Sequence, residues 1–196
     1  MPGRLGQNPI QLVIRGKDKA NAMVYSEFPV EQLARLASSP FQVGFARQAI
    51  RMLEPSEAIA YDATQDGLLM RAHNEGVLGG PAASLRDLYR DALVLRPPQV
   101  RYITLDGRPY EPIMGLRVRT VPCYWDDVRA DLASRETTLL EEQATLRVCT
   151  LRAEAPLRRL LGYAETLARL SEGTALCWIG LDRYVPMAGP PDSWAA

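Results

Sequence analysis

The single histidine, His73, limits the catalytic chemistry open to this chain. Histidine supplies many general bases and metal ligands at neutral pH. One histidine excludes two-histidine metal sites and leaves a nucleophile triad with one possible base, and no Gly-x-Ser-x-Gly motif accompanies it. We expect His73 to be a structural or solvent-facing residue, and we predict that the protein is not an enzyme.

Two adjacent carboxylate pairs, Asp126-Asp127 and Glu141-Glu142, are the residues that acid-base catalysis or a divalent cation would need. Each pair also has a simpler explanation. The aspartates fit the positive N-terminal end of a helix, and the glutamates fit a solvated turn. We therefore predict no catalytic residues, no metal site and no cofactor.

The three cysteines, Cys123, Cys149 and Cys177, are widely spaced and odd in number. They form neither a disulfide framework nor a CxxC metal motif. We expect all three to be small buried residues in a reducing cytoplasm. The N-terminal apolar stretch is also too short for the core of a signal peptide, so we expect a cytoplasmic protein.

The composition argues against binding of DNA or a membrane by the chain as a whole. The 196 residues carry 23 basic and 23 acidic side chains, so there is no net charge to attract DNA. No apolar run approaches the length of a membrane span. Only Lys17 and Lys19 are lysines, which leaves 21 of the 23 basic residues as arginine, the better partner for phosphate. A high-GC genome would produce the same bias.

The hydrophobic pattern of the first half predicts the order β, α, β, β, α, β. A strand begins at Ile10, and residues 22–28 could form a second strand before a short helix that starts at Pro29. The remaining predicted elements are a helix over 41–53, hairpin strands over 58–61 and 68–72, a helix over 81–92, and a strand broken across 93–95 and 99–105.

The second half repeats this order between Tyr110 and Tyr184. Met114, Leu116 and Val118 alternate with polar residues or glycine, as in a strand with one buried face. The remaining elements are a helix from residue 125, strands over 138–139 and 145–153 joined by a polar turn, a helix from 156 to 173, and a strand over 175–184. The fold class is therefore α+β, two tandem ferredoxin-like βαββαβ sandwich domains, over residues 8–105 and 109–187.

The second half resembles the C-terminal domain, domain V, of the translation elongation factor G family, to which the tetracycline-resistance ribosomal protection proteins are related. The resemblance covers about 75 residues and most junctions between elements. The residues that carry it follow in order: Tyr110–Met114, Val128, Asp131–Leu132, Arg135, Ala155–Leu157, Gly162–Ala164, Leu170–Ser171 and Gly173.

The first half is similar to domain III of that family, through residues 8–10 with 17–21, residues 53–76, and residues 97–100. The chain also departs from the family. Only a short turn, Asp106 to Pro109, joins the two halves, so the long domain that lies between them in the family is missing. No Gly-x-x-x-x-Gly-Lys-Ser/Thr motif is present, so we expect no GTPase activity.

The resemblance implies a partner and a set of binding residues. It places the second domain against large-subunit ribosomal RNA and makes Arg129, Arg135, Arg158 and Arg159 candidates for phosphate contact. We predict a non-catalytic module that binds the ribosome or a ribosome-associated protein. The alternative is a reused ferredoxin-like scaffold that acts as an oligomer, such as a homodimer, or as a small-ligand sensor.

Three aromatic residues could either stack on nucleic-acid bases or fill the core. Trp125, Trp178 and Tyr163 all occupy positions typical of a buried face. We therefore predict that they are core residues.

Overall fold

The computed structural model describes residues 27–187 and folds them into two antiparallel sheets, each of five strands and each packed against helices. The predicted α+β class with two tandem ferredoxin-like units is confirmed. The strand predicted from Ile10 lies outside the described residues, as does most of residues 22–28. Within the described range, no helix is long and apolar enough to cross a membrane.

The first unit follows the order β, α, β, β, α, β. Its sheet order is β2-β3-β1-β4, with β5 also paired to β1, as expected for a split βαβ motif. Its elements are β1 (Val30–Leu36), α1 (Gln42–Met52), β2 (Ile59–Thr64), β3 (Gly67–Ala72), α2 (Glu75–Tyr89), β4 (Leu93–Leu95) and β5 (Gln99–Val100).

The helix predicted from Pro29 is wrong, because this segment is strand β1. Val30, Gln32 and Ala34 are buried while the residues between them are partly exposed, which is the period of two of a strand. β1 pairs with β3 on one side and with β4 and β5 on the other. Its central place in the sheet overrides its helical propensity.

Helix α2 begins earlier than the sequence predicts. The side chain of Asn74 accepts a hydrogen bond from the backbone N–H of Val77 at 3.3 Å and caps the helix there. Pro81, predicted as the first helical residue, lies inside the helix instead. The cap, rather than the proline, determines where this helix starts.

The predicted hairpin between β2 and β3 is confirmed, and it requires a glycine at Gly67. Its φ of +139° is rarely adopted by other residues, and a Cβ there would lie 2.2 Å from the backbone oxygen of Ala34. The glycine therefore lets the hairpin pack closely against β1.

The second unit repeats the topology, with sheet order β10-β7-β9-β8 and β6 added beside β7. Its elements are β6 (Ile103–Leu105), β7 (Arg108–Thr120), α3 (Trp125–Ser134), β8 (Thr138–Ala144), β9 (Cys149–Pro156), α4 (Leu157–Leu160), α5 (Tyr163–Leu170) and β10 (Leu176–Pro186). β6 and β7 form a hairpin over Asp106-Gly107, which both have positive φ. Residues 103–105, expected in the first domain, therefore pair with the second sheet.

Two other predictions for the second unit are wrong. The polar segment that contains Glu141 and Glu142 is part of strand β8, and the turn lies after it, at residues 145–148. β8 is at the end of the β10-β7-β9-β8 path and is exposed along its length, so polar side chains do not disfavour it. The helix predicted over 156–173 is divided at Gly162, which has φ of +72°.

The two units are joined by polar contacts between the start of α2 and the second unit. A carboxylate oxygen of Glu75 accepts a hydrogen bond from the backbone N–H of Gly162, with N and Oε2 2.7 Å apart. The side-chain amide of Asn74 donates to the backbone oxygen of Ile179 on β10 at 3.2 Å. Glu75 therefore satisfies an amide at the beginning of α5, where a carboxylate is favourable.

Replacing Glu75 with alanine should loosen the first turn of α5, because the N–H of Gly162 loses its partner. A lost cap of this kind costs about 1 kcal/mol, so we expect the amide of Thr166, which donates to Gly162, to exchange with solvent roughly fivefold faster. Hydrogen exchange followed by NMR measures this rate. The matched control is Glu57→Ala, an exposed glutamate of the first unit. Equal exchange rates at Thr166 in both variants would contradict the role of Glu75.

Candidate functional site

Three of the four predicted binding arginines lie on the surface of the second unit in ion pairs. Arg129 on α3 contacts Glu142 of β8 at 2.8 Å, and its side chain is 56% exposed. The other two are adjacent on α4 and partly exposed. Arg158 pairs with Glu111, and Arg159 pairs with Glu136. Exposed ion pairs contribute little to stability, so the guanidinium groups of Arg129 and Arg159 could exchange a glutamate for a phosphate, while Arg158 pairs with a glutamate that is only 13% exposed.

Arg135 differs from the other three because it is part of the packing between helices. Its side chain is 19% exposed and makes an ion pair with Asp131 at 2.8 Å. It also donates to the backbone oxygen of Arg159 at 2.9 Å and to the hydroxyl of Thr166 at 3.2 Å, and it lies over the ring of Tyr163. Arg135 therefore connects α3, α4 and α5.

Trp178 is exposed, so the prediction that it belongs to the core is wrong. It is 53% exposed, while its neighbours Cys177 and Ile179 pack against the core. The alternation of strand β10 therefore directs the indole to the other face of the sheet. Tyr163 is fully buried as predicted, and Trp125 is partly buried against the core.

The face that carries Trp178 is the side of the second sheet away from its helices, which we call the open face. In the register of the strands, Trp178 lies opposite Arg117, which lies opposite Arg152, which lies opposite Glu141. These residues line a shallow depression of about 560 Å³. All four of these side chains are exposed.

Some of the arginines on the open face are paired with a carboxylate and others are not. Arg152 pairs with Glu141 at 3.3 Å. Arg117 and Arg119 are exposed and make no hydrogen bond or ion pair with other residues in the range 27–187. Among the described residues, Arg117 and Arg119 therefore have no partner, and they lie on the same face as an exposed indole.

Two carboxylates that line the depression, Glu154 and Asp182, both pair with Arg183. Arg183 donates to both oxygens of Glu154, at 2.8 and 3.0 Å, and these bonds hold the pKa of that carboxyl below its usual range. Positive charge on the open face is therefore concentrated around Arg117 and Arg119.

The residues considered for catalysis have structural surroundings in the described part of the chain. His73 is stacked on Phe28, with ring centroids 4.8 Å apart, and Asp126 and Asp127 lie in the first turn of α3 as predicted. Among residues 27–187, no group of three or more His, Cys, Asp or Glu side chains could hold a metal ion.

The cysteines occupy three different environments. Cys149 is buried, as predicted, whereas Cys123 is exposed, so the prediction of burial is wrong for that residue. Burial raises the pKa of the Cys177 thiol to about 12, which disfavours a reactive thiolate.

Comparison with known proteins finds a family match for the second unit. Residues 108–193 match the family "Elongation factor G C-terminus". The chain is 33% identical over 81 residues to the mitochondrial ribosome-releasing factor 2 of Danio rerio, which is 41% of this chain and 11% of that protein. It is 41% identical over 76 residues to elongation factor G of Fervidobacterium nodosum, which is 38% of this chain and 11% of that protein. The chain thus spans about a tenth of the length of these relatives.

A solved structure is similar over more of the chain. A crystal structure of a protein from Thermus thermophilus matches 85% of this chain and 42% of its own, with a TM-score of 0.59 and 14% sequence identity. At this identity the match concerns the fold alone, and it extends over both units. The family match is confined to the second unit, where its residues 108–193 include β7 through β10. Over these residues the second unit matches the elongation factor G C-terminal family and is similar to the corresponding domain of its two relatives.

Proposed function

We propose that this protein is a non-catalytic module of the translation apparatus that binds the ribosome, through large-subunit RNA or a ribosome-associated protein. The observation that carries the proposal is the match of residues 108–193 to the elongation factor G C-terminus. The name of one relative, ribosome-releasing factor 2, points to the same partner. In this proposal the protein works in the cytoplasm and acts by occupying a site on its partner, without GTP hydrolysis.

The surface proposed for this contact is the helical side of the second unit, and its arginines are Arg129, Arg158 and Arg159. Each is on a helix, partly exposed and paired with a carboxylate, and these carboxylates range from the exposed Glu136 to Glu111, whose side chain is 13% exposed. Contacts with phosphate release counterions, which would compensate for the loss of these weak pairs. Arg135 is not part of this surface, because its hydrogen bonds are used within the domain.

The triple variant Arg129→Gln, Arg158→Gln and Arg159→Gln should reduce ribosome binding. Glutamine removes the charge without placing a carboxylate beside the glutamates that now pair with these arginines. Co-sedimentation with purified ribosomes at about 50 mM salt should show wild-type binding that falls steeply as salt rises. The triple variant should bind at least about tenfold more weakly, with a shallower salt dependence.

A control with the same loss of charge is Arg47→Gln, Arg51→Gln and Arg86→Gln, three exposed arginines of the first unit. We expect this variant to pellet more like the wild type. A wild-type protein that fails to pellet at any salt concentration would remove the proposal. An equal loss in both triple variants would show that only net charge matters and would contradict the assigned surface.

Arg135 should behave as a structural residue. Arg135→Ala removes hydrogen bonds to Asp131, Thr166 and a backbone oxygen, and hydrogen bonds that involve a charged group contribute about 1.5–3 kcal/mol. We expect the free energy of unfolding to fall by about 2–4 kcal/mol in urea denaturation followed by circular dichroism. Arg129→Ala should change it by less than about 1 kcal/mol. Similar stabilities for the two variants would contradict the distinction.

A further inference from the structure

We propose that the open face of the second unit binds single-stranded RNA, with Trp178 stacked on a base and with Arg117, Arg119 and Arg152 in contact with phosphates. This site is separate from the helical surface described above, since the two lie on opposite sides of the same sheet. The choice of RNA rests on the proposed function. The binding chemistry rests on the open face itself.

The indole of Trp178 is held in place and its ring is accessible. β10 is an outer strand of the main path of the sheet, joined to β7 along its length, and Asn74 of the first unit bonds to the next residue's backbone oxygen. The backbone beneath the indole is therefore fixed on both sides. An aromatic ring on a rigid strand can stack on a base at little entropic cost, and every base offers a ring face for such stacking.

Two glycines leave open space beside the indole. Gly180 is two residues after Trp178 on the same strand and lies opposite Gly115 of β7. A Cβ built at either glycine would meet no described atom within 4 Å. The sheet therefore has a strip of bare backbone next to Trp178, along which a planar base can lie.

The charge of the open face complements a phosphate backbone. Arg117 lies directly opposite Trp178, and Arg119 is two residues further along β7. Neither has a partner among the described residues, so binding a phosphate would break no existing ion pair. Arg152 is paired with an exposed glutamate, a weak interaction that a phosphate can replace.

These features favour a single strand over other occupants. The bases of a duplex are stacked on one another and cannot lie against the indole. A second copy of this chain, related by a two-fold axis on this face, would bring its own unpaired arginines near Arg117 and Arg119, and like charges repel. A strand with exposed bases and phosphates matches both the aromatic and the charged groups of the open face.

The test uses a fluorescein-labelled oligouridylate of about eight nucleotides, whose binding is followed by fluorescence anisotropy without ribosomes. Stacking of a base on an aromatic side chain changes affinity roughly five- to a hundredfold, so Trp178→Ala should weaken binding by that factor. Trp178→Phe should retain most of the affinity. Because Trp178 is exposed, both variants should fold, which thermal denaturation checks.

Gly180→Val tests the strip of bare backbone. Valine is favoured in strands and has space here, so the variant should be at least as stable as the wild type while it binds the oligonucleotide several-fold more weakly. For the charged groups, Arg117→Ala should reduce the slope of log affinity against log salt by about 0.7. Arg169→Ala removes an exposed arginine of α5, on the helical side, and should leave affinity nearly unchanged.

The proposal would be overturned by equal affinity of wild type and Trp178→Ala for the oligonucleotide or by binding of duplex RNA as tight as that of the single strand. Light scattering that shows a dimer which Trp178→Ala dissociates would also overturn it. A DNA oligonucleotide that binds more tightly than RNA would overturn the choice of RNA. Ribosome pelleting without oligonucleotide binding would leave the proposed function in place and remove this inference. Oligonucleotide binding without ribosome pelleting would remove the proposed function and leave the binding site on the open face.

Discussion

The alternation of side chains along β7 is the constraint on which the second unit depends. Met114, Leu116 and Val118 are buried against the helices, so the residues between them must face the other way. Arg117 is therefore placed at the centre of the open face by the same period of two that builds the core. A shift of one residue in register would expose the apolar set and bury the guanidinium groups, which the cost of burying a charge forbids.

The two units are also coupled through a small polar junction. Glu75 at the start of α2 accepts a hydrogen bond from the amide of Gly162, the residue before α5, and Asn74 binds the outer strand that carries Trp178. The first unit thus supports both surfaces of the second, α5 on the helical side and β10 on the open face. A chain of two small domains gains a defined geometry from these contacts in addition to its two separate cores.

The sequence predicts most of the fold but not which surfaces are free. Periodicity and turn residues identify both sheets, yet the segment of β1 also fits helical spacing, and only pairing with β3 and β4 decides the matter. The residues around Trp178 alternate as they should in a strand, but this alternation alone does not reveal which face of the strand is buried. Arg135 and Arg129 look equivalent in sequence. Only Arg135 is structural, because it forms hydrogen bonds with Arg159 and Thr166, which are far from it along the chain.

Electron cryomicroscopy of the full chain bound to ribosomes at low salt tests the central claim most directly. We expect density for the second unit against ribosomal RNA, with phosphates near Arg158 and Arg159 and an unpaired RNA segment over Trp178. Ribosomes without bound protein, or a bound chain whose helical surface and open face both point to solvent, would contradict it.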